Sequence, residues 1–265
     1  MTGERNPFTD FDDYEEYQAL KPEREAHKRF VQQSLRDAGR RHLTPQGFRA
    51  VGSSGRKWIY DGGWWLCNVH FEPGRSVSAR LNIGCQYLWN PRSYPLEGSE
   101  FVMGWGSRRI LTSVDLEVDR KSVLEKTDSI VRSAHHVVSE LFCDTEDDRK
   151  HLALLAAAKR PTPKYWAGER VEGERWRLDA YNHATALGVT GDTDAALEVL
   201  TAAAARVRKR GEIPAPPTAE QLEPLRLAMT SSEACRNYVD TVVLTGRQAL
   251  KSLQAQPDPT QFPWY

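Results

Sequence analysis

Six side chains on two neighbouring segments could together bind a small molecule or another protein. They share one parity of an alternating pattern, and they are Trp64, Asn68, His70, Arg80, Asn82 and Gln86. An imidazole can act as an acid or a base, a guanidinium can anchor an anion, and amides and an indole add hydrogen bonds and a flat apolar surface. We interpret these six residues as a candidate ligand or partner face. The alternative is an ordinary sheet face that is solvated or covered by the N-terminal arm.

A predicted antiparallel hairpin positions this candidate face. Every odd position in residues 77–89 is apolar or aromatic, residues 65–71 follow the same parity, and Pro73-Gly74 lies between the two runs. Such alternation is typical of strands with one buried face, and the short intervening turn favours a hairpin. The apolar set should therefore point to the core and the six candidate residues to the other side.

No other group of residues predicts a catalytic or metal site. Sequence patterns for a serine nucleophile elbow, a P-loop and a Rossmann dinucleotide site are all missing. His136 and Glu140 lie one turn apart on a predicted helix, but His136 faces away from the core, so we predict a solvated histidine. The four cysteines have no ligand or disulfide spacing, and we expect buried free thiols and neither a metal nor a cofactor. They are Cys67, Cys85, Cys143 and Cys235.

Composition narrows the classes of partner. The 265 residues carry 36 acidic and 36 basic side chains, so no net field favours nucleic acid or an anionic membrane. No apolar stretch reaches the roughly 18 residues that span a bilayer, and the N-terminus lacks a signal-peptide apolar region. We therefore expect a cytoplasmic protein without membrane association. A basic run of residues 206–210 keeps nucleic-acid binding open, although it also suits a helix C-terminus.

The pattern of elements predicts an α+β fold. We expect an antiparallel sheet of four to five strands covered by helices, because a lone sheet would leave its apolar face in water, followed by an all-helical C-terminal module. Short extended runs are predicted at residues 48–51 and 57–60, and alternating strands at residues 65–71, 77–89, 101–105 and 110–118. The predicted helices run from Pro22 to Gly39, over 123–141, from a capping box at Thr145 and Asp148 to 158, and over 176–188, 194–210, 219–229 and 232–253.

Composition shifts predict five segments along the chain. They are an acidic and aromatic arm at 1–20, an α+β domain at 21–160, a linker at 161–175, a helical module at 176–256 and a Pro-rich aromatic tail at 257–265. The tail cannot continue a helix because it contains three prolines.

One segment of the helical module resembles a single tetratricopeptide unit. The resemblance implies two closely packed helices joined at Gly191-Asp192, with Ala184 and Ala195 buried at their crossing, and it implies peptide binding on a concave surface. No second copy is found, and an ordinary helical hairpin is the alternative. The residues that carry it are Ala180, Tyr181, Ala184, Leu187, Gly191, Asp192, Asp194, Ala195, Ala196 and Ala202.

Residues 21–118 are similar to an uncharacterised bacterial α+β domain family of unknown function. The similarity rests on a leading helix, Gly47-Phe48, an aromatic strand at residues 57–60 and the Asn82-Ile83-Gly84 strand. It implies an α+β fold and no particular reaction.

Three hypotheses for function follow. The first is a non-catalytic interaction or accessory protein of a bacterial cytoplasmic system, with which a role in conflict or defence is compatible. It is motivated by the missing catalytic patterns, the repeat-like hairpin and the aromatic termini. The second is an enzyme or small-molecule binder that uses His70 and Arg80. The third is a nucleic-acid-associated protein.

Overall fold

The structure, a computed structural model, describes residues 14–73, 78–90, 108–115, 119–145, 147–157, 180–205, 219–250, 253 and 257–265. The predicted strand 101–105, the linker 161–175 and the first 13 residues of the predicted arm lie outside these ranges. The elements in chain order are α1 (Tyr14–His42), β1 (Arg49–Val51), β2 (Lys57–Asp61), β3 (Trp65–Pro73), β4 (Ser78–Tyr87), β5 (Arg108–Asp115), α2 (Arg120–Thr145), α3 (Asp148–Ala156), α4 (Ala180–Thr190), α5 (Thr193–Ala204), α6 (Ala219–Ala228) and α7 (Ser232–Ala249).

The fold is α+β with an antiparallel sheet, as predicted. Its five strands follow chain order, β1-β2-β3-β4-β5, so each strand is hydrogen-bonded to its neighbour in sequence. Arg49 lies opposite Ile59 in the first pair. In the last pair Ile83 lies opposite Arg108, and the register shifts between Ala79 and Leu81. The alternating runs of the sequence thus became strands at nearly their predicted bounds.

The chain divides into two compact units, and neither is contiguous in sequence. The first unit consists of Met1–Tyr60, Cys67–Ile83 and Arg108–Val138, and the second of Asp61–Leu66, Gly84–Ser107 and Ser139–Tyr265. The predicted domains were continuous segments. We describe the two units separately.

In the first unit, α1 is longer at both ends than predicted. It begins at Tyr14 and contains Pro22, so residues 14–20 of the predicted arm belong to a helix. Gly39 does not end the helix. A Cβ atom there would lie 2.1 Å from the Trp58 ring, so this glycine lets α1 approach β2 closely.

The end of α1 is joined to α2 by a shared carboxylate. Arg41 Nη2 and His42 Nε2 each lie 2.8 Å from Asp128 Oδ1, and Arg132 bonds the other oxygen. The hydrogen bond from Arg41, followed by that from His42, holds the pKa of Asp128 well below its usual range. These contacts link the last turn of α1 to α2.

In the second unit, α4 is enclosed by other helices. It packs against α3, α5, α6 and α7, and residues 184–189 are all buried. At Gly188 a Cβ atom would lie 2.5 Å from Met229 Sδ and 2.7 Å from Cys235 Sγ. A glycine is therefore required for the close approach of α4 to the helices that follow it.

Two local predictions for this unit need correction. Ala184 is buried as expected, but Ala195 is only half-buried and its neighbour Ala196 is fully buried. Ala196 and Leu200, four residues apart, form the buried face of α5, and Ala195 lies beside that face. The Asp192 carboxylate caps the helix by accepting from Ala195 N. Similarly, Asp147 caps α3, and Thr145 is the last residue of α2 instead of a capping residue.

Candidate functional site

Six aromatic rings of the second unit meet in one buried cluster. We call this group, Trp64, Trp65, Tyr87, Trp89, His151 and Trp264, the aromatic cluster. Trp64 lies at its centre, with ring centroids 4.8 Å from Trp89 and 5.0 Å from His151. Trp64 and Tyr87 are stacked at 5.7 Å with 21° between the ring planes. Such offset and tilted contacts stabilise aromatic groups beyond their apolar burial.

A tight turn before β3 aims Trp64 into the cluster. Gly63 has φ +81° and its N–H donates to Asp61 Oδ1 at 3.0 Å. The buried Arg247 donates two hydrogen bonds to the same carboxylate. Its Nη1 and Nη2 lie 2.7 and 2.8 Å from the two Asp61 oxygens. Arg247 also donates to Gly63 O at 2.7 Å. This bidentate pair ties the turn to α7.

The end of β4 supplies Tyr87 and Trp89. Leu88 N donates to Trp64 O at 2.9 Å, which sets the backbone of this segment beside the turn. Trp89 Nε1 donates to Asn182 Oδ1 of α4 at 2.9 Å, and Asn90 Nδ2 donates to the same oxygen at 3.2 Å. A single amide thus satisfies two buried donors.

His151 of α3 is the polar member of the cluster. Its Nε2 lies 3.1 Å from the Tyr87 hydroxyl, and its Nδ1 has no hydrogen-bond partner among the described residues. Burial lowers the pKa of His151 to about 3 because no partner compensates the desolvated cation. A base with this pKa accepts protons poorly at neutral pH, so the imidazole serves packing and hydrogen bonding better than proton transfer.

Asp148, one turn before His151, completes the polar edge. The Trp65 indole N–H donates to Asp148 Oδ1 at 3.2 Å. Burial raises the pKa of Asp148, and the hydrogen bond from Trp65 opposes that shift. The arrangement as a whole can hold a flat aromatic group, because it offers ring faces and edges together with few charged atoms.

The predicted ligand face is not open where the structure describes it. Trp64, Asn68 and Gln86 are all buried, and His70 is half-buried. Both faces of β3 are buried, so the predicted parity does not separate buried from exposed side chains there. The role of this face in binding a ligand or partner stays a prediction. Arg80 and Asn82 lie on β4, and their side chains are outside the described part of the chain.

Sequence reasoning missed the residues that hold the cluster together. His151 shares a face of α3 with Leu155, four residues on, and both are buried. Arg247 likewise continues the stripe of Val239 and Val243 on α7. A histidine or an arginine within an apolar stripe was the available signal for a buried polar contact.

Comparison with protein-family models, with curated proteins and with solved structures finds no match to this chain. Within the described residues, no three His, Cys, Asp or Glu side chains are grouped as a metal site would require. None of the described helices combines the length and apolarity needed to cross a bilayer.

The His151 environment predicts acid-sensitive stability. The unfolded histidine titrates near pH 6.5 but the folded one near 3, so between these values the unfolded state binds the extra proton and stability falls as pH falls. From pH 6 to 4.5 we expect a loss of about 2 kcal/mol from this group. Urea unfolding at several pH values measures it. Asp148 contributes to the pH dependence of stability with the opposite sign. Because its pKa is raised in the folded state, the folded protein holds a proton that the unfolded chain loses above pH 3.8, and this contribution to stability falls as pH rises.

Two variants separate these contributions. His151→Phe should lose some stability at every pH, because the Tyr87 hydrogen bond is removed, yet its pH dependence should be flatter by the amount assigned to His151. Leu227→Ala changes a non-titrating side chain that is 61% exposed, and it should keep the wild-type pH profile. Equal profiles for wild type and His151→Phe would show that His151 does not titrate as described.

Proposed function

We propose that this chain is a non-catalytic protein-binding module that uses helices α5, α6 and α7 of its all-helical module, residues 176–256. The observation that carries the proposal is the stacking of two successive helical hairpins, α4–α5 and α6–α7, through Gly188. With α4 enclosed, the outer faces of the other three helices remain to contact a partner. The resemblance of residues 180–202 to a tetratricopeptide unit adds peptide binding as the mode of contact.

The charge of these helices indicates the chemistry of the partner. Between residues 180 and 250 the sequence has eight acids and seven bases, and four of the bases lie in the run 206–210. Within the described residues of α5, α6, α7 and the turn before α5 there are seven acids and three arginines, and one of these, Arg247, is buried against Asp61. The acids are Asp192, Asp194, Glu198, Glu220, Glu223, Glu233 and Asp240. The exposed acids of α5, α6 and α7 favour a basic segment of another protein, and the basic run 206–210 keeps a nucleic-acid partner as the alternative.

The alternative of an enzyme or small-molecule binder at the central hairpin has less support. Its described residues Trp64, Asn68 and Gln86 are buried, and the nearby His151 is a weak base. A ligand would have to displace packed side chains to reach them.

We place this module in a bacterial cytoplasmic system, as an accessory component for which conflict or defence is one setting. Two free and buried thiols, Cys67 and Cys235, support a reducing compartment. Burial raises the pKa of Cys235 to about 12, so this thiol is a packing group and not a nucleophile.

Charge reversal on the helices tests the proposal. Glu198 of α5 and Glu220 of α6 are exposed, so Glu198→Lys with Glu220→Lys should change stability by less than about 0.5 kcal/mol. The variant should lose the protein that wild type captures from a lysate of the native host, and capture by wild type should weaken with added salt.

A matched control carries the same change in net charge on the first unit. Glu23→Lys with Glu125→Lys reverses two exposed acids of α1 and α2, and this variant should retain the partner. If both variants retain the same protein, or if only the control loses it, binding does not use α5 and α6.

A further inference from the structure

Residues 257–265, which we call the tail, place two aromatic side chains on the second unit. Phe262 and Trp264 are each only 4% exposed. The Trp264 ring lies 5.9 Å from that of Trp64 and 5.8 Å from that of Trp89, and Phe262 packs on Trp264 at 4.8 Å. Tyr265 beyond them remains 49% exposed.

The Asp240 carboxylate of α7 accepts hydrogen bonds from Trp264 and Tyr265. Asp240 Oδ1 accepts from Trp264 Nε1 at 3.0 Å, and Asp240 Oδ2 accepts from the Tyr265 hydroxyl at 2.6 Å. The Arg236 guanidinium lies 6.0 Å from the centre of the Tyr265 ring. These contacts select an indole and a phenol in adjacent positions, which two aliphatic residues could not replace.

The tail makes its backbone hydrogen bonds with itself. Gln261 N donates to Asp258 O, Phe262 N to Pro259 O and Tyr265 N to Phe262 O, closing a 3-10 turn at Pro259–Gln261. Within the described residues, the tail therefore contacts the rest of the unit through side chains and is not part of a helix bundle or sheet. Docking by a few aromatic anchors is typical of short peptide recognition.

The surface beneath the tail is held by contacts that do not involve the tail. The Trp89 indole donates a hydrogen bond to Asn182. The Trp64 backbone accepts a hydrogen bond from Leu88 N and follows the turn at Gly63, whose carbonyl accepts from Arg247. Departure of the tail would thus leave the two indole rings and Asp240 in place. A preorganised site of this kind costs little to reoccupy.

We propose that Trp64, Trp89, Asp240 and Arg236 form a peptide-binding site for a partner segment with the pattern Phe-x-Trp-Tyr, and that the tail occupies this site in the free protein. The inference rests on the proposed function as a protein-binding module, and it adds a second surface and the chemistry of the segment bound there. The tail then acts as an intramolecular competitor that a partner segment displaces.

A labelled synthetic peptide of residues 257–265 tests this site in the full chain. In the variant Phe262→Ser with Trp264→Ser the tail should no longer dock, and the peptide should bind with 1:1 stoichiometry by fluorescence anisotropy. Wild type should bind it at least tenfold more weakly, because a tethered tail competes at an effective concentration on the order of millimolar. Adding Asp240→Ala to the variant should weaken peptide binding by tenfold or more.

The control peptide has serine in place of both Phe and Trp, and it should bind no protein. The inference is wrong if the folded variant does not bind the native peptide, or if it binds both peptides equally. If the variant does not fold, hydrogen exchange of wild type decides. The Phe262 and Tyr265 amides should then exchange at least 100-fold faster than the α7 amides, whereas equal protection shows that the tail is core and overturns the site.

The outcome is distinguishable from failure of the proposed function. Loss of the captured partner on reversal of Glu198 and Glu220 tests α5 and α6, whereas peptide binding tests the aromatic cluster. If charge reversal abolishes capture but the peptide does not bind, this inference is wrong and the proposed function stands. Peptide binding without charge-sensitive capture would leave this site in place and reject the acidic surface.

Discussion

Replacement of Trp89 by alanine should lower the free energy of unfolding by about 3–5 kcal/mol. Trp89 is completely buried, its ring contacts Trp64, Tyr87 and Trp264, and its indole N–H bonds Asn182. Alanine would leave a cavity at the centre of the aromatic cluster and remove one donor from the Asn182 oxygen. Urea unfolding followed by far-ultraviolet circular dichroism measures the loss, which is a large part of the stability of a typical protein.

Two variants calibrate this result. Trp89→Phe keeps a ring but loses the hydrogen bond and some volume, so it should cost about 1–3 kcal/mol. Leu227→Ala on α6 truncates a side chain that is 61% exposed and should cost under about 0.5 kcal/mol. A Trp89→Ala protein that unfolds at the same urea concentration as Leu227→Ala would contradict the central position of this ring.

Replacement of Arg247 by methionine should cost about 2–4 kcal/mol. The change keeps most of the apolar stem but removes three hydrogen bonds, two to the Asp61 carboxylate and one to Gly63 O. Asp61 would be left as a carboxylate without its cation, although a side chain that is 26% exposed can recover part of its hydration. The turn that aims Trp64 should loosen, which intrinsic tryptophan fluorescence reports alongside the unfolding free energy.

The double variant Arg247→Met with Asp61→Asn separates charge from packing. Asp61→Asn removes the carboxylate charge that Arg247→Met leaves unpaired, so it should recover part of the lost free energy of unfolding. The double variant should therefore be more stable than the sum of the two single changes predicts. Strict additivity of the two single changes would show that the ion pair is not a coupled unit.

Strand positions were predictable because their signal is local. The alternation in residues 65–71 and 77–89 placed β3 and β4 within a few residues of their observed bounds. Burial was less predictable, because it depends on what covers each face. Asn68 has the parity of a solvent-facing residue and is only 4% exposed.

The predicted bounds of α1 were wrong because Pro22 and Gly39 each fit two different positions in a helix. Pro22 favours a first turn, yet α1 begins eight residues before it. Gly39 resembles a stop, but its use is to admit the Trp58 ring. In both cases packing between distant segments overrode a local preference.

The candidate site was predictable only in part. Trp64 was among the six candidate residues, whereas the burial of Phe262 and Trp264 against this chain was not predicted. The pairing of Arg247 with Asp61 joins residues 186 positions apart, and no local pattern contains that information. The same holds for Asn182, whose two donors precede it by more than 90 residues.

The interleaved units have a consequence for biosynthesis. Trp64 and Trp89 leave the ribosome early, whereas Trp264, which packs against both, follows Trp89 by 175 residues. At about 5–20 residues per second the intervening chain takes roughly 10–35 s to synthesise. During that interval the two indole rings can contact each other, but the side that Trp264 covers stays open. The nascent chain therefore presents an aromatic surface of the kind that holdase chaperones cover, and a fragment starting at residue 139 would lack the rings around which its helices pack.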